Sequence, residues 1–316
     1  CMTSRIPLVP CFKELSSRRV LMRANLLLIL ACLLSLPGNV LARQSASLQV
    51  SAPDRVAIGD PFSVWVRTEQ SFSAVEISWL GEEFRLPLQK SRESRNGEII
   101  LGTQVGEDEP GTYWIGVRAL EGVSLVHKWK IRVESKEFPS QHLTLPEESI
   151  TLSEPQLERY KKDKRAIQAA LDTRSAKRYW SPPLRWPALG DITSTYGLSR
   201  ILNDKPRSPH TGIDLALPSG TPVRATETGR VILTGEFLFE GRAVFIDHGR
   251  GLVSMYFHLA SIGAKEEQIV ERGEVIGRSG RSGRSTGSHL HFGLSALDRL
   301  VNPLPLLREQ DAARAD

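Results

Sequence analysis

The chain has 316 residues, which suggests two domains on a soft scale of about 150 residues each, and 40% of it is apolar, enough for packed cores. Its net charge of +5 comes almost wholly from residues 1–42, where Arg5, Lys13, Arg18, Arg19 and Arg23 stand against one acid, Glu14. The other 36 basic and 35 acidic residues nearly cancel, so nothing points to a nucleic-acid partner.

The first 42 residues read as an export signal, with Met22 as a candidate true start because Cys1 is an odd initiator. Met22-Arg-Ala-Asn25 precedes the apolar run Leu26–Leu34, and Val40-Leu-Ala42 is a small-residue cleavage site. The run is short of the roughly 20 residues a membrane span needs, so no stable span is expected after cleavage. Ile29-Leu-Ala-Cys32 offers a lipoprotein alternative, although the apolar core continues past that cysteine. Cys1, Cys11 and Cys32 all precede Ala42, so the mature chain has no thiol. That suits an oxidising compartment such as a periplasm.

Residues 43–135 read as an all-β module. Phe62/Val64/Val66, Val75/Ile77/Trp79, Phe84/Leu86/Leu88, Tyr113/Ile115/Val117 and Trp129/Ile131/Val133 each alternate with period two. Asn96-Gly97 is a hairpin signal between two such runs. Short strands at this spacing predict an immunoglobulin-like β-sandwich. Alternation places its aromatic residues in the core, with a glycan-stacking surface as the alternative. Residues 136–179 read as a linker containing a helix. Ser153 and Gln156 form a capping box, and Leu157, Tyr160, Ile167 and Leu171 make one stripe. The run Lys161–Arg165 reads as a solvated face. Pro182, Pro183 and Pro187 open the last domain, 180–308, and 309–316 is a tail.

That domain carries the chemistry: His210-x-x-x-Asp214, His258 and His289-x-His291. Imidazoles and a carboxylate suit zinc, and a catalytic zinc site uses three protein ligands and one open position. The candidates are His210, Asp214 and one imidazole of the His-Leu-His pair, which leaves two histidines for proton transfer. Ser288–Phe292 alternates as a half-buried strand, so His289 and His291 share a face about 7 Å apart. A straight strand would separate His210 from Asp214 by about 13 Å. His210 is therefore expected on a loop that curls back over a strand starting near Gly212. His127 and His142 read as packed core residues and His248 as a turn residue. Gly277–Ser285 lacks the Gly-Lys-Ser/Thr ending of a phosphate loop and reads as a mobile approach to the His-x-His strand.

Ser208–Val223, Val244–Gly251, Met255–Leu259 and Ser285–Phe292 resemble, in order and spacing, the lysostaphin/LytM-type zinc endopeptidases that cut peptidoglycan cross-links. Gly273–Gly277, Val301-Asn-Pro303 and Asp191–Gly197 fit the same pattern, so the resemblance spans about residues 180–306. Ser288 stands where many members have Pro, and Gly293 where many have an acid; neither carries chemistry. The resemblance implies an antiparallel β-sheet peptidase domain, so the chain should be mainly β. It also implies one Zn²⁺ on His210, Asp214 and His291, with His258 and His289 as catalytic histidines. The expected activity is hydrolysis of D-alanyl–diaminopimelate bonds, with glycyl-glycine as the other family substrate. A non-enzymatic activator or scaffold for another wall hydrolase is the alternative function. A regulatory or wall-associated protein partner also fits, because the first module and helix could fold over the cleft. Asn203 could then fill the open metal position, and residues 180–316 alone would be at least as active as 43–316.

Overall fold

The computed structural model describes residues 48–121, 126–143, 152–203, 205–206 and 208–307. The expected signal peptide, its cleavage site, Met22, Cys32 and the C-terminal tail lie outside these residues. An N-terminal module comprises β1 (Leu48–Ser51), β2 (Arg55–Ala57), β3 (Phe62–Thr68), β4 (Ala74–Trp79), β5 (Glu82–Pro87), β6 (Gln89–Ser91), β7 (Ser94–Leu101), β8 (Gly111–Ala119) and β9 (Val126–Glu134). They form two sheets, ordered β1-β3-β7-β6 and β2-β9-β8-β4-β5. Inward side chains of both meet in one core, with Val64, Val66 and Ile99 from the first and Ile77, Ile115 and Ile131 from the second.

All five alternating runs lie on strands, except that Leu88 falls just past β5. The Asn96-Gly97 turn is not there. Both residues sit inside β7, opposite Arg67 and Val66 of β3, and the reversal comes earlier, at Arg92 with φ 45°. Gly97 serves the core instead: a Cβ there would lie 2.7 Å from Leu88 and 2.9 Å from Leu86. The aromatic residues divide. Trp79 is buried and donates to the Gly102 carbonyl at 2.7 Å, whereas Trp65 and Trp114 occupy outward positions and are 50% and 56% exposed.

The remaining elements are β10 (Ser140–Leu143), α1 (Glu154–Leu171), β11 (Ile192–Ser194), β12 (Ser199–Leu202), β13 (Lys205–Pro206), β14 (Ile213–Ala216), β15 (Pro222–Arg224), β16 (Gly229–Phe237), β17 (Gly241–Asp247), β18 (Leu252–Ile262), β19 (Ile269–Val270), β20 (Val275–Ser279), β21 (His289–Ala296) and β22 (Arg299–Val301). The large sheet runs β11-β14-β21-β18-β17-β16-β19, with β22 beside β21 and β20 joining β15 to β18. One face, carrying Leu290, Phe292, Leu294, Val244 and Tyr256, packs into the main core. The other carries Met255, Phe245, Val253 and Phe257, and Leu171, Ala166 and Ile167 of α1 pack there. The helix starts as expected, with the Ser153 N–H donating to Gln156 Oε1 at 2.9 Å. Its basic run is exposed apart from Asp163. No helix among the described residues is long and apolar enough to cross a membrane.

Residues 136–179 are more than a linker. β10 pairs in parallel with β12, and Phe138 meets Tyr196 edge-on at 6.3 Å. The described residues belong to one compact unit. Arg250 donates to the Glu98 carbonyl at 2.6 Å, Leu300 N–H to Gln104 Oε1 at 2.8 Å and Asn302 N–H to the Gly59 carbonyl at 2.7 Å. Ile100 lies in the main core of the large sheet and Leu297 in the core of the N-terminal module. A fragment starting at residue 180 would therefore lose core partners and uncover Phe245 and Met255, and burial of one such side chain is worth about 1.5–3 kcal/mol. We expect residues 180–316 to aggregate, or to melt roughly 10 °C below residues 43–316, in scanning calorimetry. Equal melting temperatures would show that the interface contributes little.

His248 closes β17 and is fully buried. Its Nδ1–H donates to the Thr228 carbonyl at 2.8 Å, and Nε2 meets the Ser254 hydroxyl at 2.7 Å. Burial pushes its pKa from 6.5 down to about 4. The unfolded chain therefore binds the proton first, and stability present above pH 6.5 is lost as pH falls towards 4. Full loss is on the order of 3 kcal/mol. Urea unfolding of His248→Gln should show that much less decline between pH 6.5 and 4 than the parent protein. Parallel declines would refute the assignment. His142 is not a core residue: it is exposed on β10, and His127 is half-buried.

Candidate active site

The antiparallel pairing of β14 with β21 sets Asp214 directly opposite His291 and Ala216 opposite His289. Asp214, His289 and His291 therefore leave the sheet on one face, the face that α1 also covers further along. His210 precedes β14 on an irregular segment, as the spacing requires. Its N–H donates to the Leu198 carbonyl at 3.0 Å, and its carbonyl accepts from Gly197 at 2.8 Å, which folds the segment back over the strand. Gly212 lets the chain pass, because a Cβ there would lie 2.4 Å from the Phe292 carbonyl oxygen and 2.8 Å from the His291 ring.

Three candidate ligand atoms converge. His210 Nε2, His291 Nδ1 and Asp214 Oδ1 stand 2.9, 3.0 and 3.1 Å apart. Bonds of about 2.0–2.1 Å to one tetrahedral ion would set such atoms roughly 3.3–3.4 Å apart, so the triangle is nearly the face a metal needs. Donor chemistry agrees. His210 Nδ1 lies 3.0 Å from the Thr195 carbonyl, which can only accept, so the proton is on Nδ1 and the Nε2 lone pair faces the triangle. Burial lowers the His291 pKa, which keeps the ring neutral. Burial works to raise the Asp214 carboxyl, but the His210 and His291 rings against it outweigh burial and hold the group well below the usual carboxylate range. Asp214 is thus an anion beside two imidazoles, a donor set that fits a divalent cation.

His258 and His289 complete the cluster, with ring centroids 4.7 Å apart. His289 Nδ1 faces the Gly287 carbonyl at 3.0 Å, and its Nε2 lies 3.9 Å from Asp214 Oδ1. His258 Nδ1 faces the Ser282 carbonyl at 2.9 Å. Each Nδ1 must therefore carry the proton, leaving both Nε2 atoms as acceptors. Burial lowers the His258 pKa to about 4, so the ring is neutral near pH 7.

His258 reaches the site through an irregularity absent from any simple alternation. It has φ 63° and sits at a register shift between β17 and β18. Tyr256 and Leu259 enter the same core although they are three residues apart. The intervening extra residue is a β-bulge, which turns His258 to the site face. The Tyr256…Leu259 spacing was the available sequence signal. Further supports were invisible in the motifs: Phe257 stacks on His291 at 5.0 Å and 7°, and His258 N–H donates to the Glu240 carbonyl at 2.9 Å. The glycine-rich segment is tied down rather than loose. Part of it is β20, Gly280 bridges to His289, and Ser282 Oγ donates to the Leu259 carbonyl at 2.8 Å. Asn203 lies on the turn between β12 and β13 with φ 50°.

Gly212→Ala should displace the loop that carries His210 and spread the three candidate ligand atoms. We expect at least about tenfold weaker zinc affinity by calorimetric titration, the scale of a disturbed ligand shell. Parent-like affinity would mean that the ligand loop is not held as described.

Residues 208–303 match Peptidase family M23. The chain is 43% identical over 97 residues to the peptidoglycan DD-endopeptidase ShyA of Vibrio cholerae, covering 31% of this chain and 23% of that protein. It is 45% identical over 95 residues to the DD-carboxypeptidase/endopeptidase Mpg of Neisseria meningitidis, covering 30% of this chain and 22% of that protein. The chain thus spans under a quarter of the length of these two curated relatives. A crystal structure from Pseudomonas aeruginosa, assigned to peptidase M23, superposes with a TM-score of 0.61 at 29% identity, over 79% of this chain and 94% of that one. Residues 208–303 of this mainly β chain form a peptidase M23 domain of the LytM type.

Proposed function

We propose that the protein is an exported, zinc-dependent endopeptidase that hydrolyses peptide cross-links of bacterial peptidoglycan in a periplasm. The observation that carries this reading is the His210–Asp214–His291 triangle with two more imidazoles presenting bare Nε2 atoms beside it. His210, Asp214 and His291 would hold the zinc. When bound, zinc supplies a Lewis acid for the scissile carbonyl and acidifies water towards neutral pH. His258 and His289 then act as proton acceptors through Nε2 and return the proton to the leaving amine. Burial of His258 keeps it neutral and ready to accept. The Ser282 and Gly287 carbonyls hold both rings in the tautomer this requires.

The D-alanyl–diaminopimelate bond is the proposed target, because ShyA is named a DD-endopeptidase and Mpg a DD-carboxypeptidase/endopeptidase. We also read the first module as immunoglobulin-like. Its sheet orders β1-β3-β7-β6 and β2-β9-β8-β4-β5 support this by splitting consecutive strands between two facing sheets.

Two measurements test the proposal. In elemental analysis, His291→Ala should lose zinc, whereas His258→Ala and His289→Ala should retain it. With purified sacculi, the parent should release muropeptides cut at the cross-link, and the latter two variants should be slower by about 10²–10⁴-fold. Metal loss in His258→Ala would exchange the roles. Intact sacculi with folded, zinc-loaded parent would favour an activator of another hydrolase.

A further inference from the structure

On the outer face of the sheet β2-β9-β8-β4-β5, Thr112, Trp114 and Arg118 of β8 and Lys128, Lys130 and Arg132 of β9 are all exposed among the described residues. Its inner face is committed to the sandwich core through Ile115, Val117, Ile131 and Val133. Outward from β9 project Lys128, Lys130 and Arg132, all exposed, at every second residue. Strand geometry therefore lays three cations along a line roughly 13 Å long. Trp114 of β8 is the direct cross-strand partner of Lys130, and its indole is 56% exposed.

Charges on this face are segregated rather than balanced. Arg55 pairs with Glu134 at 3.3 Å, and Arg118 pairs with Glu76. Among the described residues no carboxylate pairs with Lys128, Lys130 or Arg132. In a chain whose residues 43–316 nearly balance basic and acidic side chains, an unpaired cationic row beside a bare indole is a local arrangement. It combines a flat apolar plate with point charges at a regular interval. An indole offers a broad surface on which a sugar ring can lie, and ammonium and guanidinium groups bind carboxylates by charge-assisted hydrogen bonds.

We propose that this face is a second peptidoglycan-binding surface, separate from the catalytic cleft. Trp114 would stack on glycan rings, while Lys128, Lys130 and Arg132 pair with stem-peptide carboxylates. The inference rests on the function proposed above for its choice of polymer, and it assigns the first module the task of holding the enzyme on its insoluble substrate. Electrostatic attraction to a polyanion also raises the encounter rate and weakens with salt.

The test uses the full chain. In a His258→Ala background, which leaves the wall uncut, co-sedimentation with purified sacculi is compared for the parent, Trp114→Ala and the triple variant Lys128→Glu/Lys130→Glu/Arg132→Glu. We expect the triple variant to bind about tenfold more weakly and Trp114→Ala several-fold more weakly, with binding of the parent falling as salt rises. With His258 restored, both surface variants should cleave a soluble cross-linked muropeptide dimer at the parental rate. A triple Lys→Gln/Arg→Gln variant replaces the charge reversal if that one misfolds. Parent-like sedimentation of the triple variant overturns the proposal. Loss of binding to phosphatidylglycerol vesicles with unchanged binding to sacculi overturns it in favour of a membrane surface. Failure of the parent to cleave the soluble dimer refutes the proposed activity instead, and sedimentation still decides the surface.

Discussion

The register between β14 and β21 is the constraint on which the site depends, because a strand presents alternate residues to opposite faces. Slipping the pair by one residue would leave His291 on its face and carry Asp214 to the other. The register is held from behind. Leu215 lies opposite Leu290 and Ile213 opposite Phe292, and all four are fully buried in the main core. The polar residues that gather the ligand atoms are thus aligned by the apolar residues between them. The pairing brings the Asp214 carboxylate and the His291 imidazole to 3.0 Å.

Two outside elements complete the arrangement. Tyr196, next to the Thr195 carbonyl that orients His210, accepts from Val105 N–H of the first module at 3.1 Å and donates to the Leu300 carbonyl at 2.7 Å. On the opposite flank α1 grips the β16–β17 hairpin. Asp163 accepts from Leu238 N–H at 2.8 Å, and Tyr160 lies 5.3 Å from Phe239. The next residue, Glu240, supplies the carbonyl that receives His258 N–H. The N-terminal half of the described chain therefore braces both the ligand loop and a proposed catalytic histidine.

Much of this was legible beforehand. The spacing of His210, Asp214, His258, His289 and His291, with period-two alternation around β21, was enough to group them and to place His210 on a returning loop. The alternating runs located β3, β4, β5, β8 and β9. What escaped was set by three-dimensional contact. Asn96-Gly97 looks like a turn, but its glycine makes room for Leu86 and Leu88 from a neighbouring strand. Trp65 and Trp114 fall out of phase with the buried positions beside them, and only strand pairing reveals which phase faces water. The bulge at His258 breaks the alternation on which the reading relied. The mutual burial of the two modules leaves no local signal at all.

Phe237, Phe245 and Phe257 pack in succession at 6.1 and 5.4 Å, and the last stacks flat against His291 at 5.0 Å. The imidazole is thereby packed against hydrocarbon, and its rotamer freedom is spent when β18 and β21 pair. Small zinc domains use the ion to pull an unfolded chain together, so chelation melts them. Here packing between strands supplies the order around the ring, because Phe257 lies opposite His291 across the β18–β21 pairing, so a smaller side chain at Phe257 would free the imidazole to turn.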